Sequence, residues 1–423
     1  GSQWPYHPLA RGFDTFWGTM TGCGTYYQPG TLTRGTENID HEADREGFFY
    51  TDVIADQSVD FLKSHKTESP DKPYFLYVPF TAPHWPLHAR EKTIAEYDGV
   101  YEAGWDKLRE TRLKRQKELG LLPEYLELSP RDEGVPSWEN EAHKEWQVRC
   151  MQVYAAMVTE MDRAIGQILE QIRANGDWED TVILFMSDNG ASADPMPLTE
   201  LQYWRQRTDI LRHKTKDGRD VRIGNDPLVM PGGEDTYLSY GRGWANLSNT
   251  PFKLFKLWAH EGGVATPFIA HWPQGKLRTG EIFEQPFQLT DVMPTLLELL
   301  GAKYPSERAG VKLPPLVGAS MFGAWKGADV SNPTLWWEHC GNAAIRSGQW
   351  KLVRQYDCPW ELYDIAVDRS ELRDLSAQHP DVVQELAAKW QAIATQNGVI
   401  PFRQIMDIYY NKNLVMNAHL AIQ

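Results

Sequence analysis

The stretch Thr181-Val-Ile-Leu-Phe-Met-Ser-Asp-Asn-Gly190 is the strongest indication of fold class in this chain. Residues 181–186 are apolar or β-branched without polar alternation, which is typical of a strand that is covered on both faces of a parallel sheet. Residues 154–172 place apolar side chains at i, i+3 and i+4 spacing, and Asn175-Gly176 follows as a stop signal, so this segment predicts an amphipathic helix. The helix, a short turn and the buried strand together form an αβ unit.

Similar patterns on either side of that unit extend the prediction to a whole domain. Residues 74–80 and 266–272 are apolar runs that predict two more buried strands, the second beginning near Pro267. Residues 49–62 and 291–300 have the apolar spacing of helices. This alternation predicts an α/β domain with a mainly parallel sheet flanked by helices.

Three other regions differ from this pattern. Residues 102–144 are charged and interrupted by prolines, which favours an insertion over a core element. Residues 192–248 are polar with little periodicity, as in the functional loop regions of compact domains. The chain then changes after residue 333, where an amphipathic helix at 381–395 follows short strand-like runs at 334–338, 343–346, 350–354 and 360–363. We therefore predict two domains, at residues 1–330 and 331–423, the second being a small antiparallel sheet with a helix.

Composition and charge restrict the classes of partner. The formal net charge of −14 argues against nucleic acid, since binding to phosphates requires clustered lysine and arginine. No run of about 18 or more apolar residues occurs, so the sequence predicts no membrane span. The four cysteines lack C-x-x-C spacing, and we expect most of them to be buried free thiols, with a bond between Cys340 and Cys358 left open.

The predicted strand at 181–186 ends at a group of polar residues. Ligands of open α/β sheets bind beyond the carboxyl ends of the strands, which is where Asp188 and Asn189 lie. A carboxylate beside a carboxamide supplies hard oxygen ligands that suit Ca²⁺, with Mg²⁺ as the alternative. Asp-Asn-Gly is also ordinary turn chemistry, so a simple turn is the competing interpretation.

A histidine and a lysine lie near the ends of other predicted strands. His84 follows the strand at 74–80 on a proline-flanked loop, where it is either an anion contact or acid, or a structural histidine. Lys256 has the aromatic neighbours Phe255 and Trp258, so it is either a desolvated anion contact or a cation above a ring. The motifs of serine hydrolases, P-loop proteins and zinc peptidases are absent from the sequence.

Several segments occur in an order that is specific as a set, although no single segment is. They are Ala82-Pro-His84, the helical segment 154–172 leading to Phe185-Met-Ser-Asp188-Asn189-Gly190, and Asn249-Thr-Pro followed by Lys256 and Glu261-Gly-Gly-Val-Ala-Thr-Pro267. Further matches are Arg11-Gly-Phe-Asp14, Asp291-Val-Met-Pro-Thr295 and Trp360-Glu-Leu-Tyr-Asp364. Together they resemble the formylglycine-dependent sulfatases of the arylsulfatase type, in the alkaline phosphatase-like superfamily. The resemblance extends over essentially the whole chain.

The resemblance implies an alkaline phosphatase-like sheet domain followed by a small C-terminal sheet domain. It implies that Asp188 and Asn189 complete a Ca²⁺ site. It also implies that His84 and Lys256 hold the sulfate and assist departure of the alcohol, with His260 as an extra wall of the pocket. These side chains would then meet in one cleft. The substrate would be a small-molecule or carbohydrate sulfate ester, and a periplasmic or secreted location is favoured.

The chain departs from the family pattern in its nucleophile. The family uses a formylglycine made from the first residue of C-x-P-x-R or S-x-P-x-R, and neither motif occurs here. The family also places two further metal carboxylates before the segment that matches residues 11–14. We therefore expect a longer natural protein, and a chain that is inactive alone. A phosphoesterase of the same superfamily and a non-catalytic fragment that binds sulfated glycans are the alternatives, while the ester and the oligomeric state are left open.

Overall fold

The computed structural model describes residues 6–308, 310–328 and 334–411. Its helices are α1 Tyr50–Glu68, α2 Glu91–Ile94, α3 Gly104–Glu118, α4 Lys144–Ala174, α5 Leu201–Gln206, α6 Gly241–Ser248, α7 Glu261–Val264, α8 Val292–Leu299, α9 Phe322–Trp325, α10 Pro380–Gln396 and α11 Phe402–Asn411. Its strands are β1 Trp17–Thr19, β2 Leu32–Arg34, β3 Glu37–Asn38, β4 Ile183–Met186, β5 Arg222–Ile223, β6 Thr236–Tyr237, β7 Phe268–His271, β8 Glu307–Arg308, β9 Val311–Lys312, β10 Leu335–His339, β11 Asn342–Ser347, β12 Trp350–Arg354 and β13 Glu361–Asp364.

The chain forms two compact units, each assembled from separate segments of sequence. The first unit contains residues up to 111 together with 131–181 and 192–248. The second unit contains 112–130, 182–191 and the residues from 249 onward. The predicted boundary between residues 330 and 331 lies outside the described residues, so the two-domain division remains a prediction.

In the first unit, the long helices α1 and α4 pack against each other. Both were predicted, and α4 is longer than its apolar pattern, which begins after its first two turns. Their interface is a cluster of small and aliphatic side chains, namely Ala55, Leu62, Ala164, Ile168 and Ile172. Burying each of the larger aliphatic side chains contributes about 1.5–3 kcal/mol. The predicted end of α4 is confirmed, because its cap is Asn175 and Gly176 has a φ of 78°.

The polar stretch 192–248 forms a core of its own within the first unit, which the sequence did not predict. Its buried residues are Met196, Trp204, Ile210, Leu211, Val221, Ile223 and Tyr237. They converge from α5, from the two-residue strands β5 and β6, and from loops between them, so neither a helical nor a strand period appears in the sequence. The prediction of an insertion at 102–144 also missed a core residue, because Trp105 of α3 is only 1% exposed.

A buried histidine ties two loops of the first unit together. The backbone N–H of Tyr26 donates to His88 Nδ1 at 3.3 Å, and His88 Nε2 donates to the carbonyl oxygen of Thr236 at 2.6 Å. This arrangement requires the neutral ring. Burial lowers the pKa of His88 from its ordinary value of 6.5 to about 4, because the charged ring would lose its hydration.

Acidification is therefore expected to destabilise the first unit. Between pH 6.5 and about 4 the unfolded chain protonates this histidine while the folded chain does not, so the free energy of unfolding falls as pH drops through that window. The loss should reach about 3 kcal/mol, measured by urea unfolding at several pH values. A His88→Gln variant should lose less stability over the same window, whereas His143→Gln, on an exposed residue, should follow the wild type. Equal pH dependence in His88→Gln and the wild type would contradict this assignment.

In the second unit, β4 and β7 form a two-stranded antiparallel pair, with Ile183 opposite His271 and Met186 opposite Phe268. Both strands were predicted, but the alternation of helices and strands had predicted parallel pairing. Among the described strands, β5 and β6 are the parallel pair. An apolar run predicts that a strand is covered, whereas its direction depends on the path by which the chain returns. Residues 74–80, a predicted strand of the first unit, form no strand in the described structure.

The C-terminal strands β10 to β13 form an antiparallel sheet in sequential order, as predicted. One face packs on α10 through a cluster of buried residues, namely Ala343, Ile345, Leu352, Leu362, Leu386, Trp390 and Ala394. The other face packs on Ala259, through Ala344, Val353, Tyr363 and Ile365. Alternate residues of each strand therefore belong to different cores, because successive side chains of a strand point to opposite faces.

Two further predictions concern cysteines and membrane helices. All four cysteines are free thiols, so Cys340 and Cys358 are not bonded to each other. Only Cys150 is buried, and Cys358 is exposed, so the expectation that most would be buried is wrong. Among the helices of the described ranges, none combines the length and apolar character that a membrane crossing requires.

Candidate active site

The predicted metal residues form a tight turn directly after β4. Ser187 Oγ donates to the carbonyl oxygen of Asn189 at 3.1 Å, and Asn189 Nδ2 donates to the carbonyl oxygen of Gly190 at 2.9 Å. The amide of Asn189 is thereby oriented by its nitrogen, which leaves Oδ1 as an acceptor. The carboxylate of Asp188 is exposed and makes no hydrogen bond or ion pair within the described part of the chain. Both oxygens are available to a cation.

The loop that carries Lys256 lies directly against this turn, in the same compact unit. Gly190 N–H donates to the carbonyl oxygen of Gly263 at 3.0 Å. Ala191 N–H donates to Asn249 Oδ1 at 2.9 Å, and Lys256 N–H donates to the carbonyl oxygen of Ala191 at 2.9 Å. These hydrogen bonds join segments that are about 60 residues apart in sequence. The structure therefore brings the backbone of the Asp188–Asn189 turn and that of Lys256 together.

Glycines permit this close approach of two backbones. A Cβ atom on Gly190 would lie 1.8 Å from the carbonyl oxygen of Gly262. One on Gly262 would lie 2.2 Å from the carbonyl oxygen of Lys253, and one on Gly263 would lie 2.0 Å from that of Trp258. Glycine has no Cβ, so Gly190, Gly262 and Gly263 allow these close backbone contacts where any larger residue would collide.

A Gly190→Ala substitution is expected to lower the free energy of unfolding by about 3 kcal/mol, measured by chemical denaturation. The added methyl group collides with the carbonyl oxygen of Gly262. Gly262 is itself packed tightly against the carbonyl oxygen of Lys253 and cannot move away, so the turn that carries Asp188 must move. Gly166→Ala is the matched control, because this helical glycine has no atom within 4 Å of the added Cβ. That control should be neutral or stabilising by about 1 kcal/mol. Equal stability of the two variants would contradict the contact.

The backbone is strained on both sides of Lys256. Its neighbours Leu254 and Leu257 have φ values of 64° and 96°, in the left-handed region that residues with a Cβ rarely adopt. Such conformations cost about 1–3 kcal/mol each and persist where the surroundings impose them, often at functional sites. Here Phe255 is fully buried and Trp258 is 7% exposed, and both hold the loop. The ammonium group of Lys256 has no partner within the described ranges, so it is available to an anion.

His260 is buried against the C-terminal sheet, and its place in the wall of the substrate pocket stays a prediction. The side chain is fully buried, and Nε2 lies 3.4 Å from Glu361 Oε2 of β13. Lys253 Nζ lies 2.8 Å from the Tyr363 hydroxyl and 3.3 Å from the same carboxylate. The contact with Glu361 arises because β13 returns over this loop from about 100 residues further along the chain.

The carboxylate of Glu361 is held ionised by these neighbours. Burial by itself raises the pKa of Glu361, but the hydrogen bond and charge of His260, the Lys253 ammonium and the Tyr363 hydroxyl outweigh it and lower the pKa to about 2. In return, burial and this carboxylate raise the pKa of Tyr363. Residues 360–363 were predicted as a strand and residues 360–364 match the family, but no local signal distinguished Glu361 from an exposed strand residue.

His84 lies in the other compact unit, on the predicted proline-flanked loop. Its Nδ1 donates to the carbonyl oxygen of Trp85 at 2.7 Å. Its backbone N–H donates to the carbonyl oxygen of Thr81 at 2.9 Å, and its own carbonyl accepts from the Tyr26 hydroxyl at 2.8 Å. The loop is thus held on both sides of His84. The expected meeting of His84 with Asp188 and Lys256 in one cleft remains a prediction.

The metal prediction depends on two side chains. Asp188 and Asn189 offer one carboxylate and one amide oxygen that no protein donor occupies in the described ranges. Ca²⁺ takes six to eight oxygen ligands, so this pair fits as part of a coordination shell. Within the same ranges, no three or more histidine, cysteine, aspartate or glutamate side chains converge on a point that a metal ion would occupy.

The family assignment follows from comparison with known proteins. The model of the Sulfatase family matches residues 2–302, which is more than two thirds of the chain. This chain belongs to the sulfatase family. The predicted family is therefore confirmed. The sulfatase chain also matches the C-terminal model of N-sulphoglucosamine sulphohydrolase over residues 252–396, a range that includes the Lys256 loop and the C-terminal sheet.

Two curated relatives support the assignment. This sulfatase is 31% identical over 424 residues to an uncharacterized sulfatase of Schizosaccharomyces pombe, with 93% of this chain and 72% of that protein covered. It is 30% identical over 309 residues to an arylsulfatase of Klebsiella aerogenes, with 72% of this chain and 60% of that protein covered. The sulfatase chain thus spans only part of the length of either relative.

Solved structures agree with the fold. The crystal structure of Ps i-CgsB superposes with a TM-score of 0.60 at 21% identity, covering 98% of this sulfatase and 76% of that chain. BT4656 in complex with its substrate D-glucosamine-2-N,6-O-disulfate superposes with a TM-score of 0.56 at 18% identity, covering 92% of this sulfatase and 78% of that chain. The predicted fold class, an α/β domain followed by a smaller antiparallel sheet with a helix, is confirmed.

Proposed function

We propose that the enzyme containing this chain hydrolyses sulfate esters, and that the Asp188–Asn189 turn and the Lys256 loop form part of its active site. The observation that carries the proposal is the direct backbone contact between these segments, in which Lys256 N–H donates to the carbonyl oxygen of Ala191 at 2.9 Å. An unpaired carboxylate and an unpaired ammonium are thereby placed on neighbouring segments. The carboxylate can bind a metal cation, and the ammonium group can bind an anion beside that cation.

We assign the following roles to the residues. Asp188 and Asn189 supply two of the oxygen ligands of a Ca²⁺ ion, or of Mg²⁺ as the alternative, which when bound withdraws charge from the sulfate oxygens. Lys256 contacts the sulfate and neutralises charge that develops on it. His84 is the candidate donor to the leaving oxygen, on the family resemblance alone. The buried His260, which contacts Glu361, is the candidate extra wall of the sulfate pocket, on the family resemblance alone.

The net charge of −14 is compatible with an anionic substrate if the attraction is local. A bound cation and Lys256 would supply it within the site. The substrate class is a small-molecule or carbohydrate sulfate ester, and neither the aryl nor the sugar type is favoured by a residue described above. Residues 1–330 are proposed as the catalytic domain and 331–423 as the small C-terminal domain.

We further propose that this chain alone does not turn over sulfate esters, because it contains no C-x-P-x-R or S-x-P-x-R motif from which formylglycine is made. An assay of the chain with an aryl sulfate should give no release of the alcohol, whereas the whole enzyme should release it. Turnover by the chain alone would contradict this part of the proposal.

The test of the function compares matched esters with the whole enzyme. Aryl sulfate should be hydrolysed faster than the corresponding aryl phosphate, and chelation of divalent cations should abolish the activity. Asp188→Ala should weaken the response to added Ca²⁺, whereas Asp71→Ala, on an exposed aspartate of the first unit, should not. Faster hydrolysis of the phosphate would favour a phosphoesterase. Tight binding of sulfated sugars without metal or turnover would favour a non-catalytic binding protein.

A further inference from the structure

A fully buried lysine of the C-terminal sheet contacts the first residue of helix α7, next to the candidate site. Lys351, on β12, has no exposed side-chain surface, and its Nζ lies 2.7 Å from Glu261 Oε1 and 2.9 Å from Glu371 Oε1. The two glutamate side chains are 5% and 0% exposed. Arg369 adds a contact of 3.1 Å with Glu261 Oε2. We refer to Lys351, Glu261 and Glu371 as the Lys351 cluster.

Opposite charges in the cluster favour the ionised forms of Glu261 and Lys351. Burial opposes ionisation of Glu261, but the charges of Lys351 and Arg369 outweigh it and lower the pKa of Glu261. Burial also opposes the charge on Lys351, and the two carboxylates outweigh it and raise the pKa of Lys351. Buried ion pairs contribute little net stability relative to well-packed apolar side chains of similar volume. A contribution to the free energy of unfolding therefore does not by itself explain why three charged side chains are buried together here.

The backbone around the cluster supports a role in geometry. Glu371 has a φ of 56°, a left-handed conformation that is unfavourable for a residue with a Cβ. In this conformation its Oε2 accepts the backbone N–H of Glu261 at 3.0 Å, at the first residue of α7. The carboxylate that binds Lys351 therefore also fixes where α7 begins.

The helix α7 directly contacts both segments of the candidate site. Its Gly263 carbonyl accepts the N–H of Gly190 at 3.0 Å, and its Gly262 N–H donates to the carbonyl oxygen of Lys253 at 3.1 Å. A displacement of α7 would consequently move both the turn that carries Asp188 and the loop that carries Lys256. These backbones are in direct contact, since a Cβ on Gly190, Gly262 or Gly263 would collide with a carbonyl oxygen.

We infer that Lys351, Glu261 and Glu371 are positioning residues of the candidate active site, holding α7 so that the Asp188–Asn189 turn and the Lys256 loop keep their spacing. The cluster acts through α7 and touches neither substrate nor metal. The C-terminal sheet is then part of the scaffold of the site. The consequence for turnover rests on the proposed function, whereas the consequence for backbone geometry does not.

The experiment uses a variant in which the whole cluster is neutral, Lys351→Met with Glu261→Gln and Glu371→Met. Removing the three charges together leaves none of them buried without its partner, and only Arg369, which is 39% exposed, loses its contact with Glu261, so the denaturation midpoint should fall much less than in Lys351→Met alone. Amide hydrogen exchange should nevertheless become at least about tenfold faster at Gly190 and Lys256, while the amides of β11 and β12 keep their protection. Lys114→Met, on a lysine that is 78% exposed, is the matched control and should change neither.

Wild-type exchange rates at Gly190 and Lys256 in the folded neutral variant would overturn the inference. If that variant does not fold, Glu371→Gln, which retains the shape of the side chain, should show the same local increase in exchange, and unchanged exchange there would also overturn it. In the whole enzyme, the neutral variant should lower kcat for an aryl sulfate with little change in KM. Faster local exchange with normal kcat would leave the positioning role intact and would instead contradict the proposed active site.

Discussion

Replacement of Lys256 with alanine is expected to lower kcat/KM of the whole enzyme for an aryl sulfate by about 10²–10³-fold. The ammonium group has no protein partner within the described ranges, and its backbone is held against the Asp188–Asn189 turn. If it neutralises charge that develops on the sulfate, its removal weakens binding of the transition state more than binding of the substrate. Steady-state kinetics should therefore show the loss mainly in kcat.

The matched control for this substitution is Lys114→Ala, which removes a lysine that is 78% exposed on α3 and leaves a good helix former. Its turnover should equal that of the wild type. Lys256→Arg should retain part of the activity, because the charge remains while the geometry of the donors changes. Near-normal turnover of Lys256→Ala would remove this residue from the active site. A rise in KM without loss of kcat would limit its role to uniform binding of the substrate.

The single substitution Lys351→Met is expected to lower the free energy of unfolding by about 3–5 kcal/mol. It leaves the carboxylates of Glu261 and Glu371 buried without the cation that both contact. Urea unfolding followed by circular dichroism at neutral pH measures the loss. Lys114→Met should change the stability by no more than about 0.5 kcal/mol, since surface substitutions away from special contacts have small effects.

A second substitution tests the origin of that loss. Adding Glu371→Gln to Lys351→Met removes one of the uncompensated charges, so the double variant should be more stable than Lys351→Met alone. The loss in Lys351→Met should also shrink at acid pH, where protonation of the carboxylates removes the unpaired charge. A loss of less than about 1 kcal/mol for Lys351→Met at neutral pH would mean that water reaches the two carboxylates.

Elements with a strong local period were predictable. Residues 154–172 repeat apolar side chains with a helical period, and they form the inner part of α4. Residues 181–186 are continuously apolar, and β4 occupies Ile183–Met186. The alternation of the C-terminal strands likewise predicted β10 to β13. In each case the pattern of apolar side chains within one element indicates which of its faces is buried. A few neighbouring residues are enough to show this pattern.

Features that depend on distant segments were not predictable. The antiparallel pairing of β4 with β7 joins residues that are more than 80 positions apart, and an apolar run carries no direction. The core of residues 192–248 has no period because its members come from short elements and loops. His260 contacts Glu361, which lies 101 residues further along the chain, so its local sequence could not predict this partner.

For the candidate site, the sequence showed which residue types are present, and the structure showed how they are arranged. The residue types after the strand at 181–186, together with Lys256 and the glycines that follow it, identified the family and its chemistry, because the kinds of ligand and charge are properties of single side chains. Their juxtaposition, the strain at Leu254 and Leu257, and the support from Lys351 became visible only in the folded chain. Lys351 and Glu261 are separated by 90 residues, and a contact of that kind is set by the packing of the C-terminal sheet rather than by any local pattern.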